Sequence, residues 1–502
     1  MKIKNPILKG FYPDPSVCRA NGKYYMVCSS FQFFPGVPLF ESDDLINWKQ
    51  IGHCITRSSQ IDLKEVNSSG GVFAPTIRYN DGVFYMVTTN DTYHQNFYIT
   101  TTDIYGEWSE PIFVEQGGID PSLYFEDGKT YFMSNGSDED GNGCIFQCEI
   151  DVKTGKKLTE STPLWKGSGG RYLESPHLYK FGDWYYLMAA EGGTEYGHMI
   201  TYARGKSPYG PFENYEKNPV LTNRNLGGHQ STIQGIGHGD LVQDDEGNTY
   251  LFCLGFRQEG MWIPYHHLGR EVFMAPVQWD ENGWFTAGDN GIVTEEMEVP
   301  LSHARKDFDY SVNLEKLAED SCRITYLREP VMENYELSKD MFKLRGTKTT
   351  LFEVASPTFA GIRQSEFKTE LKCKISTAKG EAGITYYMDQ GNHYDLYVEK
   401  SGDEAKVSLR ICIAGFNMLL KSMPAVIDDG KAMAEIKVVS DEYNYHFFSI
   451  SDGKEEYLGG AQTKYLSSEV CGGFTGVVTA FYAVNPEGTG EWAEFTEYEW
   501  IQ

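Results

Sequence analysis

The sequence predicts an all-β chain, a five-bladed β-propeller followed by a β-sandwich, and three observations carry that prediction. One short pattern recurs five times in the N-terminal part of the chain. Aromatic residues make up 14%, with 33 Tyr and 29 Phe beside 52 Gly, a balance suited to strands joined by tight turns. Toward the C-terminus, apolar and polar residues alternate between turn signals.

The recurring pattern reads "DPSVCRANGKYYMV" from Asp14, "APTIRYNDGVFYMV" from Ala74, "DPSLYFEDGKTYFM" from Asp120, "SPHLYKFGDWYYLM" from Ser175 and "HGDLVQDDEGNTYLF" from His238. Each copy is a short inner strand, a turn containing Gly22, Gly82, Gly128, Gly182 or Gly247, and an aromatic-rich second strand. Most copies are followed by further strand material, as in "LFESDDLINWKQIG" and "VFMAPVQWDENGWF". Four short strands per repeat describe a propeller blade. Residues 1–300 are therefore expected to form the propeller. A charged, partly helical stretch over 301–330 is expected to be a linker packed on the surface. Segments such as "QSEFKTELKCKI", "EAGITYYMDQGNHYDLYVEK" and "EWAEFTEYEWIQ" place the sandwich over 331–502.

Composition excludes several partners. With 502 residues and a net charge of −27, the chain is poorly suited to phosphate backbones or anionic membrane surfaces. No run approaches a transmembrane span, and the N-terminus lacks the apolar core of a signal peptide. The ten cysteines show no C-x-x-C pair, so reduced thiols in a cytoplasm are expected.

If the blades start at a central channel, the residues opening the five copies converge there. Asp14 and Asp120 precede proline in that slot; Ala74 and Ser175 share it, with Glu174 one residue earlier, and His238 opens the fifth copy. Prolines on both sides of Asp14 are expected to hold it in an extended, preset geometry. Taken singly, each residue has a plain structural role in a turn or a packed loop. Taken together, three carboxyl groups in one low-dielectric channel must be driven apart in pKa, which separates acid from base. Two carboxyls flanking a bond are the minimum apparatus for glycoside hydrolysis. Glu174 is the candidate acid, Asp14 the candidate base, and Asp120 would hold up and orient the acid.

With "FYPDPS", "GGIDPSLYFEDGK", "ESPHLYK", "IQGIGHGDLV" and "LGREVF" in this order, the chain resembles glycoside hydrolase family 43. The likeness is to its two-domain β-xylosidase and α-L-arabinofuranosidase members, and spans nearly the whole chain, including a concanavalin-like jelly roll. The resemblance implies an inverting hydrolase with Asp14 as general base, Glu174 as general acid and Asp120 as pKa modulator. It implies Arg270 in the sugar subsite and His238 in the channel, where arabinan-cutting relatives hold calcium. No cofactor is expected to be required, and a channel calcium stays open. Phe73 stands before Ala-Pro where the xylosidase members carry Trp, which alters the apolar wall of the subsite. "GGFTGVVTAFY" at 472–482 resembles the segment by which the sandwich closes one side of the pocket, with Phe474 as the contact. Exo action on short oligosaccharides follows.

Phe31 is expected at the channel mouth or in blade packing. Trp262 and Tyr265 are expected at the rim or at a hairpin tip. The expected partner is a small (arabino)xylo-oligosaccharide, with a homo-oligomer left open. The rival readings are a non-catalytic sugar-binding propeller and an arabinan-directed relative with a channel calcium.

Overall fold

The structure, a computed structural model, describes all residues except 228–230, 261, 303–305, 307 and 489. Each expected hairpin forms: Ser16–Ala20 pairs with Lys23–Val27, Thr76–Asn80 with Val83–Asn90, Ser122–Glu126 with Lys129–Ser137, Glu174–Phe181 with Trp184–Glu191, and Ile233–Gln243 with Thr249–Arg257. Two further strands follow each pair, giving five four-stranded antiparallel meanders. The turn glycines sit at φ of 78, 83, 75, 59 and 84°, a left-handed backbone that explains why glycine recurs there. Second strands are apolar on both faces, as at Tyr250, Leu251, Phe252 and Cys253, because neighbouring sheets cover both sides.

The first strands of the five sheets touch one another in turn, and the fifth touches the first, so they form a closed ring. The first and last strands of this half meet: Lys2–Lys4 pairs with Glu296–Glu298, and the Asn5 side chain exchanges two hydrogen bonds with the backbone of Met274.

The C-terminal half is a sandwich of a nine-stranded and a six-stranded sheet. Leu371, Ile384, Leu396, Val438, Phe447, Phe481, Phe495 and Trp500 fill the space between them. The outer face of the six-stranded sheet is covered by the N-terminal half: Tyr387, Tyr397, Val478 and Tyr482 cluster with Phe11, Phe31 and Phe33. Two glycines permit the closest approach. A Cβ on Gly476 would come within 2.4 Å of the Leu268 carbonyl, and one on Gly269 within 2.9 Å of the Gly476 Cα.

Two expectations need correction. The stretch over 301–330 is not confined to the surface. Val312, Leu314, Leu317 and Ile324 join the sandwich core, and Tyr326–Leu327 pairs with Phe33–Phe34 of the N-terminal half. Phe33–Phe34 lies outside the first four-stranded sheet and forms a two-stranded ribbon with Tyr326–Leu327 alone. The apolar residues of 301–330 are few among many charges, which hides their burial from composition. Residues 303–305 and 307 of this stretch lie outside the described residues. Asp14 is not extended: its φ is 56°, with Asp120 at 53°, Ser175 at 57° and His238 at 48°. Four of the five slots thus share the left-handed conformation, which Asp tolerates better than most residues and which bends the chain sharply as it enters the inner strand.

Candidate active site

The shared slot brings its residues together. Asp14, Asp120, Glu174 and His238 line one cavity of about 90 Å³, with Phe31, Phe73, Ala74, Ile119, Thr194, His198, Arg270 and Phe474. Every residue singled out for the sugar site from the sequence lies here except Trp262 and Tyr265. Trp262 is 87% exposed at a loop tip, and Tyr265 is buried against the sandwich, its hydroxyl 2.8 Å from that of Thr463.

Asp14 is buried. The Ser29 hydroxyl donates to its Oδ2 at 2.5 Å, and the Arg270 guanidinium lies 3.3 Å from Oδ1. Nδ1 of His238 stands 3.5 Å from Asp14 and 3.8 Å from Asp120. Burial opposes charge on Asp14, but Arg270, His238 and the Ser29 hydrogen bond outweigh it and hold its carboxyl below the ordinary range. Glu174, at the head of Glu174–Phe181 and half-buried, moves the other way. Burial first and the Asp14 charge second push it up to about 7. Asp120, which accepts the Ser175 N–H at 3.1 Å, is raised as well, by burial and by repulsion from Glu174 and Asp14. The three carboxyl groups are therefore split into one whose ionisation is favoured and two whose ionisation is disfavoured.

Arg270 is fixed from three sides. One nitrogen reaches Asp14 and donates to the Thr194 hydroxyl at 2.7 Å; the other donates to the Phe474 carbonyl at 3.1 Å. Phe474 in turn donates its N–H to the Ser69 hydroxyl, so a sandwich loop is tied at both backbone atoms to the N-terminal half. Its ring stacks on Phe31 at 5.9 Å and meets Phe73 edge-on at 6.1 Å. Phe31 itself has a φ of 51° and exchanges two backbone hydrogen bonds with Val72, which holds it beside Phe73. These three rings form an apolar wall suited to the face of a sugar.

Thr194, Arg270 and Phe474 also line a second cavity of about 430 Å³ between the two halves, bounded by Tyr196, His266 and Glu469. A small chamber holding the charged groups thus gives onto a larger vestibule.

Beside the chamber lies a second buried cluster. Arg78 donates to both carboxylate oxygens of Asp240 at 2.8 and 3.0 Å, and Asp240 also accepts from Ser16, Val17 and Tyr179. Arg78 lies 2.9 Å from Nδ1 of His177, which burial keeps neutral, with a pKa of about 3.

The donor set does not suit a protein-built calcium site. Calcium takes 6–8 oxygen ligands, whereas His238 offers one imidazole, and the neighbouring carboxylates already face Arg270, Ser29 and the Ser175 amide. Among the described residues, no three His, Cys, Asp or Glu side chains are grouped to hold a metal.

Sequence reasoning missed Ser29, Thr194 and His198, none of which falls in the repeat slot. For His198 a signal existed: "GIGHG" places glycines inside a strand, the mark of a close neighbour, and the His198 ring packs on Gly237.

Residues 3–285 match the family described as Glycosyl hydrolases family 43, and 319–500 match the beta xylosidase C-terminal concanavalin A-like domain. A non-reducing end alpha-L-arabinofuranosidase of Bacteroides ovatus is 38% identical over 501 residues, covering 96% of this chain and 91% of that one. A xylosidase/arabinosidase of Butyrivibrio fibrisolvens is 36% identical, covering 95% of each. The solved structure of the GH43B protein of a Bacteroides ovatus xyloglucan locus superposes with a TM-score of 0.90 at 35% identity, covering 99% of each chain. The chain belongs to glycosyl hydrolase family 43 and is a glycoside hydrolase.

Proposed function

We propose that this family 43 hydrolase removes xylose and/or L-arabinofuranose from the ends of short (arabino)xylo-oligosaccharides, by an inverting mechanism that requires no metal. The observation that carries the reading is the opposed ionisation of two carboxyl groups in one chamber: Asp14 held down, Glu174 pushed up to about 7. The names of the two relatives support the sugar assignment.

Asp14, ionised, takes a proton from water as the water oxygen bonds to the anomeric carbon. Glu174 gives its proton to the leaving oxygen as the glycosidic C–O bond breaks. Inversion needs room for that water, which roughly 6.5–9.5 Å between the two carboxyls provides. Asp120, itself raised by the neighbouring Glu174 and Asp14 charges, acts as the pKa modulator of the site, and by accepting the Ser175 N–H it fixes the backbone beside Glu174. Arg270 and His238 grip sugar hydroxyls, and Phe31, Phe73 and Phe474 pack on the ring. The chamber is sized for an end unit, and the vestibule takes what the end unit is attached to.

The closed ring of sheets supports a five-bladed propeller over residues 1–300, joined through 301–330 to the sandwich over 331–502. All ten cysteines are free, which supports a reducing, cytoplasmic setting. No helix among the described residues is long and apolar enough to cross a membrane. The deciding experiment is proton NMR of the first sugar released from aryl β-xyloside and aryl α-L-arabinofuranoside, with and without chelator. Inverted anomers and unchanged rates under chelation are expected; retained configuration overturns the base assignment.

A further inference from the structure

His198 stands one residue ahead of Met199–Gly205 and is 3% exposed, yet it lines the chamber with the three carboxyl groups. Its Nδ1 lies 3.1 Å from the carbonyl oxygen of Gly235. A carbonyl only accepts, so Nδ1 carries the proton and Nε2 keeps its lone pair. Burial holds the ring neutral, with a pKa of about 3. Among the described residues Nε2 has no hydrogen-bond partner, and it is not among the unpaired polar atoms sealed away from open space, so it opens onto the chamber that the ring lines. The fold makes room for this ring. A Cβ on Gly237 would come within 2.2 Å of Nδ1, so any side chain there would displace the imidazole.

We propose that His198 is a specificity residue: its Nε2 accepts a hydrogen bond from one hydroxyl of the pentose bound in the chamber. The proposal rests on the glycosidase reading above. A neutral acceptor suits this position. A further carboxylate would add to the repulsion among Asp14, Asp120 and Glu174, and an imidazolium would compete with Arg270 for Asp14. His198 reads a hydroxyl without changing the field at the base.

Asparagine can keep an N–H near Nδ1 and leaves nothing at Nε2; glutamine can place an amide oxygen near Nε2. His198→Asn is expected to lower both pentose affinity and kcat/KM on aryl glycosides by about tenfold, the scale of one neutral hydrogen bond, with His198→Gln recovering most of it. Calorimetric titration with xylose and L-arabinose reads binding alone. Among monodeoxy aryl glycosides, one should be cleaved equally slowly by wild type and His198→Asn, because the contact is already gone. In the wild type, the ¹⁵N resonance of His198 Nε2 should move on adding pentose, a reading that requires no variant to fold. Wild-type pentose affinity in His198→Asn, the same extra loss on every deoxy substrate, or an unmoved resonance overturns the proposal. If wild type cleaves no aryl glycoside but the resonance moves and the Asn and Gln variants differ in pentose titration, the glycosidase reading falls and the contact stands.

Discussion

Asp14 and Asp240 are both buried carboxylates facing an arginine in the same ring, yet one is saturated and the other is left with room. Arg78, Ser16, Val17 and Tyr179 occupy both oxygens of Asp240. Asp14 has Ser29 on one oxygen and, on the other, a longer contact to Arg270 that leaves space toward the cavity. The first cluster holds inner strands from four different sheets in place. The second crowds three carboxyl groups whose ionisations oppose one another, an arrangement that costs stability and that folding alone does not require. The saturated cluster reads as structural, and the unsatisfied one is the proposed substrate site.

That contrast can be broken by substitution, and the largest effect is expected at Asp14. Asp14→Ala should lower kcat on xylo-oligosaccharides by on the order of a thousandfold or more, with a denaturation midpoint close to wild type. A large fall in stability would place Asp14 with Asp240. Asp240→Ala should do the reverse: removing one partner strands the buried Arg78 charge, costing about 3–5 kcal/mol in chemical denaturation. Glu174→Ala should cost roughly a hundredfold on oligosaccharides and far less on aryl glycosides with good leaving groups, which need no proton. Equal losses on both would remove Glu174 as the acid.

The pH profile sharpens the same comparison within the site. Glu174 must be protonated to act, so kcat/KM should fall as pH rises through about 7. Asp14 must be ionised, and since its pKa is lowered, the acid limb should lie below the ordinary carboxylate range. Glu174→Ala should erase the alkaline limb on activated substrates. The smallest effect is expected for Thr194→Val, which removes the hydroxyl accepting from Arg270 and should raise KM roughly threefold to tenfold.

The ring was legible because its signal repeats. A Gly turn and an aromatic second strand recur in five registers, so the slot of Asp14 locates Asp120, Glu174 and His238 without any long-range information. Arg270, Phe73 and Phe474 were legible through motifs that resemble a known family. Ser29 and Thr194 were not, because Ser29 reaches Asp14 and Thr194 reaches the chamber from loops outside the repeat slot, and His198 was marked only indirectly, by the glycines of "GIGHG". The left-handed slot was hidden by its prolines, which argue for extended backbone. The strand Phe416–Pro424 gave no alternation, since Phe416, Met418, Leu419 and Leu420 are all exposed. Trp262 and Tyr265 sit close to Arg270 in sequence but leave the chamber, because nearness along a hairpin tip does not fix direction.

The pairing of Lys2–Lys4 with Glu296–Glu298 has a consequence in time. The proposed base is made long before the strand that closes its ring, which cannot form until the chain has passed residue 298, and Phe474 arrives later still. At elongation rates of about 5–20 residues per second, Asp14 waits on the order of tens of seconds for its neighbours. A nascent chain therefore carries every proposed catalytic carboxylate well before it carries a finished chamber, and hydrolysis should begin only after Phe474 has been made and placed.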